Sequence, residues 1–378
     1  MSSGELDRSA DVIVLGLGGM GSAAAMHLAQ RGARVLGFDR FGPAHDRGSS
    51  HGESRLIRQA YFESPAYVPL LKRSYTLWDE LAAASGRALL HRSGLLLLGR
   101  RTSTAATIAR EFGIAIEELS SRETRARFPD IRVEDDWVGL FEPGAGWLAV
   151  ESCVQAHLDA ASRAGAALRF DERARSWRVD EASGLVEVET SAGRYRARKL
   201  VIAGGAWAPA LLAELALPLQ VHRVVQLWFK AREEHAAPCF AFDLAGGFFY
   251  GFPQNGGLVK IAEHSARQPV ATPDDVRREI SADDVQRVEA FVRERLPGLE
   301  TRQVDARTCM YTMTPDEHFV VDLHPRHPEV TFAAGFSGHG FKFATVIGEI
   351  LADLALEGRT AWDIGFLRAA RDGLAGSR

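Results

Sequence analysis

A glycine-rich loop near the N-terminus carries the clearest chemical pattern in the sequence, with Gly16, Gly18 and Gly21 at the spacing G-x-G-x-x-G. The first glycine permits a tight turn, the second lets backbone N–H groups approach a pyrophosphate, and the third lets a helix pack closely on a strand. Asp39 ends the next predicted strand, where a carboxylate can accept hydrogen bonds from a ribose diol. The loop predicts a dinucleotide site, and Asp39 followed by Arg40 is compatible with either NAD or FAD.

Cysteine, lysine and histidine residues offer further chemistry, but their types alone leave their roles open. Cys153, Cys239 and Cys309 lie far apart without a CxxC pair, which argues against a zinc site and against a disulfide scaffold. Taken alone, Cys309 is typical of an inert buried cysteine. Lys260 and His264 project to the same side of a predicted strand, which by itself is compatible with two solvent-facing polar residues.

Several longer motifs follow the glycine loop in order, as far as the last predicted helix. They are Gly48-Ser-Ser-His-Gly-Glu-Ser-Arg-Leu-Ile-Arg58, Ala60-Tyr-Phe-Glu63, Tyr250-Gly-Phe-Pro, Lys260-Ile-Ala-Glu-His264, Cys309-Met-Tyr-Thr-Met-Thr-Pro and Gly335-Phe-Ser-Gly-His-Gly-Phe-Lys342. Together they resemble the monomeric sarcosine oxidase and N-methyltryptophan oxidase family, flavin amine oxidases of the D-amino acid oxidase superfamily. The resemblance implies a flavoprotein that oxidises the C–N bond of a secondary amino acid such as sarcosine. It further implies that O2 is reduced to H2O2 and that the imine hydrolyses to an amino acid and formaldehyde.

The resemblance implies that FAD is the cofactor and is bonded through its 8α carbon to the sulfur of Cys309. A thiolate is the side chain suited to such a thioether. The positions that match cofactor contacts of the family are Gly16, Gly18, Gly21, Asp39, Arg40, Ser50, His51, Ser54, Arg55, Cys309, Met310, Gly338, Gly340 and Lys342. Among them, Arg55 is expected to place positive charge against the flavin ring.

The resemblance also implies a substrate site. Arg58 and Lys342 match the pair that holds the substrate carboxylate, a task suited to fixed cationic donors. Lys342 lies inside the otherwise uncharged run 335–346 and is therefore not expected at an ordinary surface. The remaining expected roles are O2 activation by Lys260, placement of the amine by His264, aromatic walls from Tyr250 and Phe252, and a polar mouth residue in Glu63; Lys260, His264, Arg55 and Tyr250 form the expected catalytic set.

The N-substituent that the enzyme accepts is left open. The turn before Lys260 looks one residue shorter than in sarcosine oxidase, and Ala262 and Glu263 replace the usual pair of residues there. One alternative is an oxidase of cyclic imino acids such as pipecolate or proline, or of glycated or bulkier N-alkyl amino acids. An alternative without flavin is an NAD(P)-dependent dehydrogenase or a non-catalytic dinucleotide-binding protein.

The glycine loop must be positioned by a βαβ unit, predicted as a strand over residues 11–16, a helix over 21–31 and a strand over 34–39. Apolar strands of the same kind return at 198–204 and 329–335. The dinucleotide domain is therefore expected to be assembled from separated chain segments.

Residues 219–261 are rich in Val, Phe and Tyr with turn residues between, which indicates an antiparallel sheet. The predicted fold class is α/β with mixed α+β character, a Rossmann-like FAD-binding domain with an inserted antiparallel-sheet substrate domain. The predicted boundaries are 1–88, 146–218 and 311–378 for the FAD-binding domain and 89–145 and 219–310 for the substrate domain.

Composition limits the setting and the partners. The 378 residues are 46% hydrophobic and 25% charged, as in ordinary globular proteins, and the net charge of −4 calls for neither nucleic acid nor an anionic membrane. The apolar run 12–29 is broken by glycines and preceded by acidic residues, so it matches neither a membrane span nor a signal peptide. We therefore expect a cytoplasmic protein without a metal, and the resemblance implies a monomer that binds a small amino acid and O2.

Overall fold

Three β-sheets organise the chain, which the computed structural model describes over residues 8–234 and 236–375. In chain order, the strands are β1 (Ser9–Leu15), β2 (Val35–Phe38), β3 (Ser54–Ile57), β4 (Leu90–His91), β5 (Leu95–Gly99), β6 (Glu117–Ser120), β7 (Val138–Glu142), β8 (Gly146–Ala149), β9 (Ala167–Arg169), β10 (Ala174–Asp180), β11 (Leu185–Thr190), β12 (Arg194–Ile202), β13 (Gln220–Ala231), β14 (Cys239–Leu244), β15 (Gly247–Gly251), β16 (Leu258–Glu263), β17 (Gln268–Val270), β18 (Leu299–Met313), β19 (Val320–Leu323) and β20 (Val330–Ala334). The α-helices are α1 (Gly19–Gln30), α2 (Val68–Ser85), α3 (Thr102–Glu111), α4 (Ser121–Arg127), α5 (Val150–Arg163), α6 (Ala208–Leu211), α7 (Ala282–Arg295) and α8 (Ala344–Glu357).

The first sheet is built around parallel strands. Its order is β10-β11-β12-β1-β2-β9, with β20 beside β12 and β19 beside β20. The pairs of β1 with β2 and β12, of β2 with β9 and of β12 with β20 are parallel. Val12 and Val14 face one apolar core and Ile13 faces another, so β1 is buried on both sides, which explains its unbroken apolar sequence. The predicted βαβ unit and the returning strands are confirmed.

Helix α1 packs between α5 and α8. Ala23, Ala24 and Ala25 are wholly buried in this contact, because small side chains let the helix axes approach. The packing fixes the N-terminus of α1 at the carboxyl end of β1. The first turn of α1 is the second half of the glycine loop, so the N–H groups of this turn belong to the loop.

The second sheet has the order β17-β13-β16-β15-β14-β5-β7-β6, and β18 pairs with β13. Its pairs are antiparallel, as predicted, apart from the parallel pair of β5 with β14. Helix α7 packs on this sheet through Phe291, whose ring stacks on Phe249 with the centroids 4.4 Å apart. The sheet holds Lys260 on β16 and Cys309 on β18, where Cys309 lies opposite Val224.

A third, small sheet of order β3-β8-β4 connects these parts. It carries Arg55 on β3 opposite Leu148 on β8, and Arg58 follows directly after β3 ends at Ile57. The mixed α/β class is as predicted, whereas the domain boundaries stay a prediction; β18 continues through the expected boundary at residues 310–311. Within the described ranges, no helix is both long and apolar enough to cross a membrane.

Candidate active site

A cavity of about 830 Å³ runs from the glycine loop to the aromatic residues of the second sheet. This volume lies in the range of roughly 300–1,000 Å³ that is usual for small-molecule and cofactor sites. Of the residues singled out in the sequence, those that line it are Gly16, Gly18, Asp39, Arg40, Ser50, Arg55, Arg58, Glu63, Tyr250, His264, Met310, Gly338, Gly340 and Lys342. The others, Gly21, His51, Ser54, Phe252, Lys260 and Cys309, are buried behind this lining.

The glycine loop has the close approaches that its spacing predicts. Gly16 has φ +86°, and a Cβ there would lie 2.5 Å from the carbonyl oxygen of Ala203. A Cβ on Gly21 would lie 1.7 Å from the carbonyl oxygen of Gly16, so only glycine lets α1 begin this close to β1. The helix has no side-chain cap on Gly18, and the Ser50 hydroxyl accepts from the N–H of Gly19 at 3.2 Å. The remaining first-turn N–H groups suit a pyrophosphate.

Asp39 lies beside this loop with its carboxylate held in place. It accepts hydrogen bonds from the backbone N–H of Leu17 at 2.7 Å and of Phe41 at 2.9 Å. Arg40 is paired with Asp274 at 2.8 Å. Because Asp274 already pairs with Arg40, this arginine is not free to bind a 2′-phosphate. A nucleotide with a free ribose diol therefore fits this end of the cavity better than one with a 2′-phosphate.

Cys309 differs from the other two cysteines. Its Sγ accepts from Nη2 of Arg55 at 3.5 Å and lies 3.7 Å from the carbonyl oxygen of Ser49. Burial opposes ionisation of this thiol, but the neighbouring His51 and Arg55 lower its pKa to about 6. For Cys239, burial raises the thiol pKa to about 12.

His51 supplies an independent sign that a ligand belongs here. Its side chain is buried; the ring lies near Sγ of Cys309 and helps to lower the pKa of that thiol, but neither ring nitrogen has a partner with hydrogen-bond geometry among the residues that the structure describes. Buried polar atoms are rarely left without a partner in native proteins. Together with the first-turn N–H groups of α1 that Ser50 leaves free and the cavity, His51 fits a large polar cofactor with a phosphate end and a heteroaromatic end, as FAD has.

Lys260 is buried beneath Arg55 and β3. Its Nζ donates hydrogen bonds to the carbonyl oxygens of Gly52 at 2.5 Å and Ser54 at 2.8 Å, and it lies 4.9 Å from the centroid of the Phe252 ring. Burial, and then the Arg55 charge, hold the pKa of this lysine well below its usual range. The expectation of a solvent-facing lysine, which the residue type alone allowed, is therefore wrong.

His264, Tyr250 and Tyr311 form a connected group over Gly338. His264 directly follows β16, and its Nδ1 lies 3.3 Å from the hydroxyl of Tyr311, which lies 3.5 Å from that of Tyr250. Burial is the main cause that lowers the pKa of His264 to about 3. Sequence reasoning missed Tyr311, although residues two apart on a strand share a face and Tyr311 follows Cys309 by two.

Arg58, Lys342 and Glu63 meet at the other side of the cavity. Nη2 of Arg58 donates to both carboxylate oxygens of Glu63, at 2.7 and 2.8 Å, and Nζ of Lys342 donates to the carbonyl oxygen of His339 at 2.7 Å. Burial raises the pKa of Glu63, but the charges of Arg58, His339 and Lys342 outweigh this and lower it to about 2. Burial and then Arg58 lower the pKa of Lys342 to about 7. Two cations against one carboxylate leave room for one further anion.

Two further residues of this region were quoted in the motifs but given no role by sequence reasoning. They are Tyr61 and His339. Tyr61 is wholly buried beside Arg58 and Lys342, and its hydroxyl forms a hydrogen bond with Nδ1 of His339. Their positions inside the motifs 60–63 and 335–342 were the available signal.

One group of side chains away from the cavity has the spacing of metal ligands. In the described part of the chain, ligand atoms of Glu214, His324 and His327 lie within 4.8 Å of one another. The N–H of Arg326 donates to Nδ1 of His324, which places the proton of the neutral ring on Nε2, and the Arg326 side chain pairs with Glu214. Both features disfavour a cation, and the absence of a metal stays a prediction.

Comparison with known proteins agrees with this geometry. The family model of the FAD dependent oxidoreductases (DAO) matches residues 11–354. A monomeric sarcosine oxidase of Streptomyces avermitilis is 45% identical over 96% of this chain and 97% of that protein. An N-methyl-L-tryptophan oxidase of Salmonella enteritidis is 37% identical over 96% and 98%. The solved structure of NikD, an unusual amino acid oxidase essential for nikkomycin biosynthesis, superposes with a TM-score of 0.86 at 28% identity and covers 96% of this chain and 97% of that one.

The glycine loop, the continuous cavity and the extent of these matches lead to one assignment. The family model covers most of the chain, and both curated relatives are aligned over nearly their full length. The chain therefore belongs to the DAO family of FAD-dependent oxidoreductases, together with the monomeric sarcosine oxidases and N-methyltryptophan oxidases.

Proposed function

We propose that this protein is an FAD-dependent oxidase of N-methyl amino acids such as sarcosine. The observation that carries the proposal is the buried pair of cations, Arg58 and Lys342, at the end of a cavity that begins at the glycine loop. The names of the two curated relatives support the same substrate class. The overall reaction converts the N-methyl amino acid, O2 and water into the demethylated amino acid, formaldehyde and H2O2.

The chain's own residues orient the substrate. When bound, FAD would accept the two electrons of a C–H bond at the carbon next to the amine nitrogen, which leaves a C=N bond, and would pass them to O2. The carboxylate of the substrate replaces Glu63 on Nη2 of Arg58 and takes the protonated Lys342 as its second partner. Because Glu63 already occupies Arg58, its side chain must move when the substrate binds.

The aromatic side provides a place for the amine. His264 stays neutral because burial lowers its pKa to about 3, so the ring adds no charge that would repel a cationic amine. Tyr250 supplies apolar surface to the cavity, and Phe252 packs behind it with the ring centroids 5.9 Å apart, so the two rings exclude water. We propose that His264 and Tyr250 bind the amine end of the substrate and that Tyr311 holds both of them.

We propose that Lys260 promotes the reduction of O2. Its Nζ is fixed by two carbonyl oxygens behind Arg55, at the part of the cavity where Cys309 also lies. Negative charge that develops nearby favours the protonated lysine, even though burial disfavours it in the free chain.

We also propose that FAD is attached covalently through Cys309. The low pKa of this thiol, about 6, makes a thiolate available at neutral pH, and Sγ contacts Arg55 and Ser49 of the cavity wall. In the test, the protein is precipitated with acid and the flavin is followed. Flavin should stay with the wild type and with Cys239→Ser and be released from Cys309→Ser. Release from the wild type would refute the covalent bond.

A spectrum and a peroxide-coupled screen test the function. The purified protein should be yellow, and sarcosine should bleach it without O2 and yield H2O2 with O2. A colourless protein whose activity needs NAD(P) would support the dehydrogenase alternative and refute the oxidase. The same preparation tests the proposed monomer, which the name of the Streptomyces relative supports, by its sedimentation.

A bulkier N-substituted amino acid is a second candidate substrate. Beyond Glu63 the cavity continues along Phe62, Phe248 and Arg101, and the Arg101 guanidinium lies over both of these rings at 4.9 and 5.8 Å from their centroids. This mouth gives aromatic and cationic surface that a methyl group does not use. Turnover of pipecolate, proline or a larger N-alkyl amino acid well above that of sarcosine would favour this candidate.

A further inference from the structure

We propose that Tyr61 is a positioning residue for the carboxylate clamp, the name we give to Arg58 and Lys342. The ring of Tyr61 holds both cations, and His339 fixes that ring. The inference rests on the proposed function of these two cations. The guanidinium carbon of Arg58 lies 4.6 Å from the centroid of the Tyr61 ring, and Nζ of Lys342 lies 5.2 Å from it. Tyr61 has no exposed surface.

The ring solves an electrostatic problem of the clamp. Arg58 and Lys342 are both buried and repel each other, and one carboxylate, Glu63, compensates them. When a substrate takes the place of Glu63 on Arg58, the clamp must keep both cations in position during the exchange. The negative face of an aromatic ring attracts cations most when they are desolvated, and it adds no charge that would compete with the substrate carboxylate.

The hydrogen bonds of His339 fix the orientation of the ring. Nε2 of His339 lies 2.9 Å from the carbonyl oxygen of Glu317, which can only accept, so Nε2 carries the proton of the neutral imidazole. Nδ1 is therefore the acceptor, and the Tyr61 hydroxyl donates to it. The carbonyl oxygen of the same His339 accepts from Nζ of Lys342. One residue thus fixes both the ring and the second cation.

Loss of the ring should show in the pH dependence of carboxylate binding. The charged and titratable groups that face Lys342 are Arg58, Glu63, His339 and Tyr61. The Tyr61 ring favours the protonated form of Lys342, so removing the ring lowers the pKa of this lysine. As the pH is raised, a variant without the ring should therefore lose acetate binding at a lower pH than the wild type does. We use acetate as the probe because it has no amine that titrates.

The test compares Tyr61→Leu with Tyr67→Leu in the flavin-loaded protein. Tyr67 is the matched control because its ring is equally buried and packs on Tyr61 with the centroids 5.4 Å apart, while no cation of the described chain lies over it. Acetate affinity is measured by titration calorimetry and by the flavin spectrum between pH 6 and pH 9. The alkaline limb is the part of the pH profile in which acetate affinity falls as the pH rises. In Tyr61→Leu this limb should move down by about one pH unit. Sarcosine KM should rise about tenfold or more, with little change in the rate of flavin reduction at saturating sarcosine. Tyr61→Phe keeps the ring but loses the hydroxyl that binds His339, so its alkaline limb should move less than that of Tyr61→Leu.

An unmoved limb in Tyr61→Leu, or an equal movement in Tyr67→Leu, would overturn the inference. If Tyr61→Leu does not fold, pentafluorophenylalanine at position 61 keeps the shape of the ring and removes its negative face, and the same two outcomes apply. A wild type that binds acetate but oxidises no N-methyl amino acid would refute the proposed function alone. A wild type that oxidises sarcosine while Tyr61→Leu leaves the limb in place would refute this inference alone.

Discussion

At the scale of single residues, the site depends on charges that the protein buries and then compensates. Nη2 of Arg58 donates to both carboxylate oxygens of Glu63, and Nζ of Lys342 donates to a carbonyl oxygen. Lys260 likewise has two carbonyl partners and no carboxylate among its hydrogen-bond acceptors within the described ranges. Such groups leave positive charge available to an anion that arrives or forms during the reaction.

Arg58→Ala should raise sarcosine KM about a hundredfold or more, because losing one partner of a buried hydrogen-bonded charge pair costs roughly 2–5 kcal/mol. Glu63 would lose its partner as well, and its uncompensated negative charge would repel acetate. Acetate affinity should therefore fall in the same variant. Arg58→Lys, the matched control, keeps the charge but loses the second donor nitrogen, which binds the carbonyl oxygen of Ala60, so its KM should fall between those of the wild type and Arg58→Ala. Steady-state kinetics and acetate titration measure both effects, and an unchanged KM in Arg58→Ala would remove this residue from the clamp.

Lys260→Met should separate the two half-reactions. Anaerobic reduction of the flavin by sarcosine should stay close to wild type, whereas reoxidation by O2 should lose at least about a further factor of ten, which is about 1.4 kcal/mol of transition-state stabilisation. Stopped-flow absorbance follows both steps, and Lys260→Arg serves as the charge-retaining control. Equal losses in the two steps would contradict the proposed role of this lysine and point to a structural one, through Gly52 and Ser54.

At the scale of elements, the first sheet and α1 decide where a pyrophosphate can lie. Gly21 is the contact point between α1 and the end of β1. A Cβ there would overlap the backbone carbonyl of Gly16, and backbone cannot rotate away as a side chain can. The helix and the strand would have to separate, which would open the pyrophosphate site.

Gly21→Ala should therefore yield protein with little bound flavin. The flavin-to-protein ratio from absorbance measures this, and the thermal midpoint shows whether the fold persists. Gly144→Ala is the control, since a Cβ at that position meets no atom within 4 Å. Full flavin content in Gly21→Ala would contradict the assignment of this loop.

At the scale of the whole molecule, buried neutral histidines link stability to pH. Burial lowers the pKa of His27 to about 4 and that of His157 to about 3, both in the contact between α1 and α5. The ordinary pKa of histidine is 6.5. Below it the unfolded chain takes up protons that the folded chain refuses, so stability is fully present above pH 6.5 and falls as the pH drops towards 4.

We expect the free energy of unfolding to fall between pH 6.5 and pH 4 by roughly 1 kcal/mol per pH unit for each such histidine. Urea titrations at several pH values, at fixed flavin content, measure this slope. His157→Gln should reduce this slope, because Gln cannot titrate. It should also lower the free energy of unfolding at pH 7, because it replaces a buried ring. An unchanged slope would show that other groups govern acid unfolding.

How much the sequence could predict depended on how local each feature is. The apolar sequence predicted β1, β2, β12 and β20 of the first sheet, and α1 and β2 lie within two residues of their predicted positions. The parallel pair of β5 with β14 was not predicted, because pairing between segments more than 100 residues apart leaves no local pattern. The same holds for Tyr311 and Tyr61, whose neighbours come from distant segments.

By itself, the sequence determined the dinucleotide loop, since turn geometry and glycine spacing are properties of a few adjacent residues. Its motifs also placed the chain in a flavin oxidase family. The resemblance singled out Cys309, but only the tertiary structure showed how its thiol differs from that of Cys239, because a thiol pKa depends on burial and on charges such as Arg55 from another sheet. Only the tertiary structure showed the ion pair of Glu63 with Arg58, and the contacts of the Tyr61 ring with both Arg58 and Lys342. Electrostatic interactions act over a few ångströms in space, and the sequence does not record which distant residues come that close.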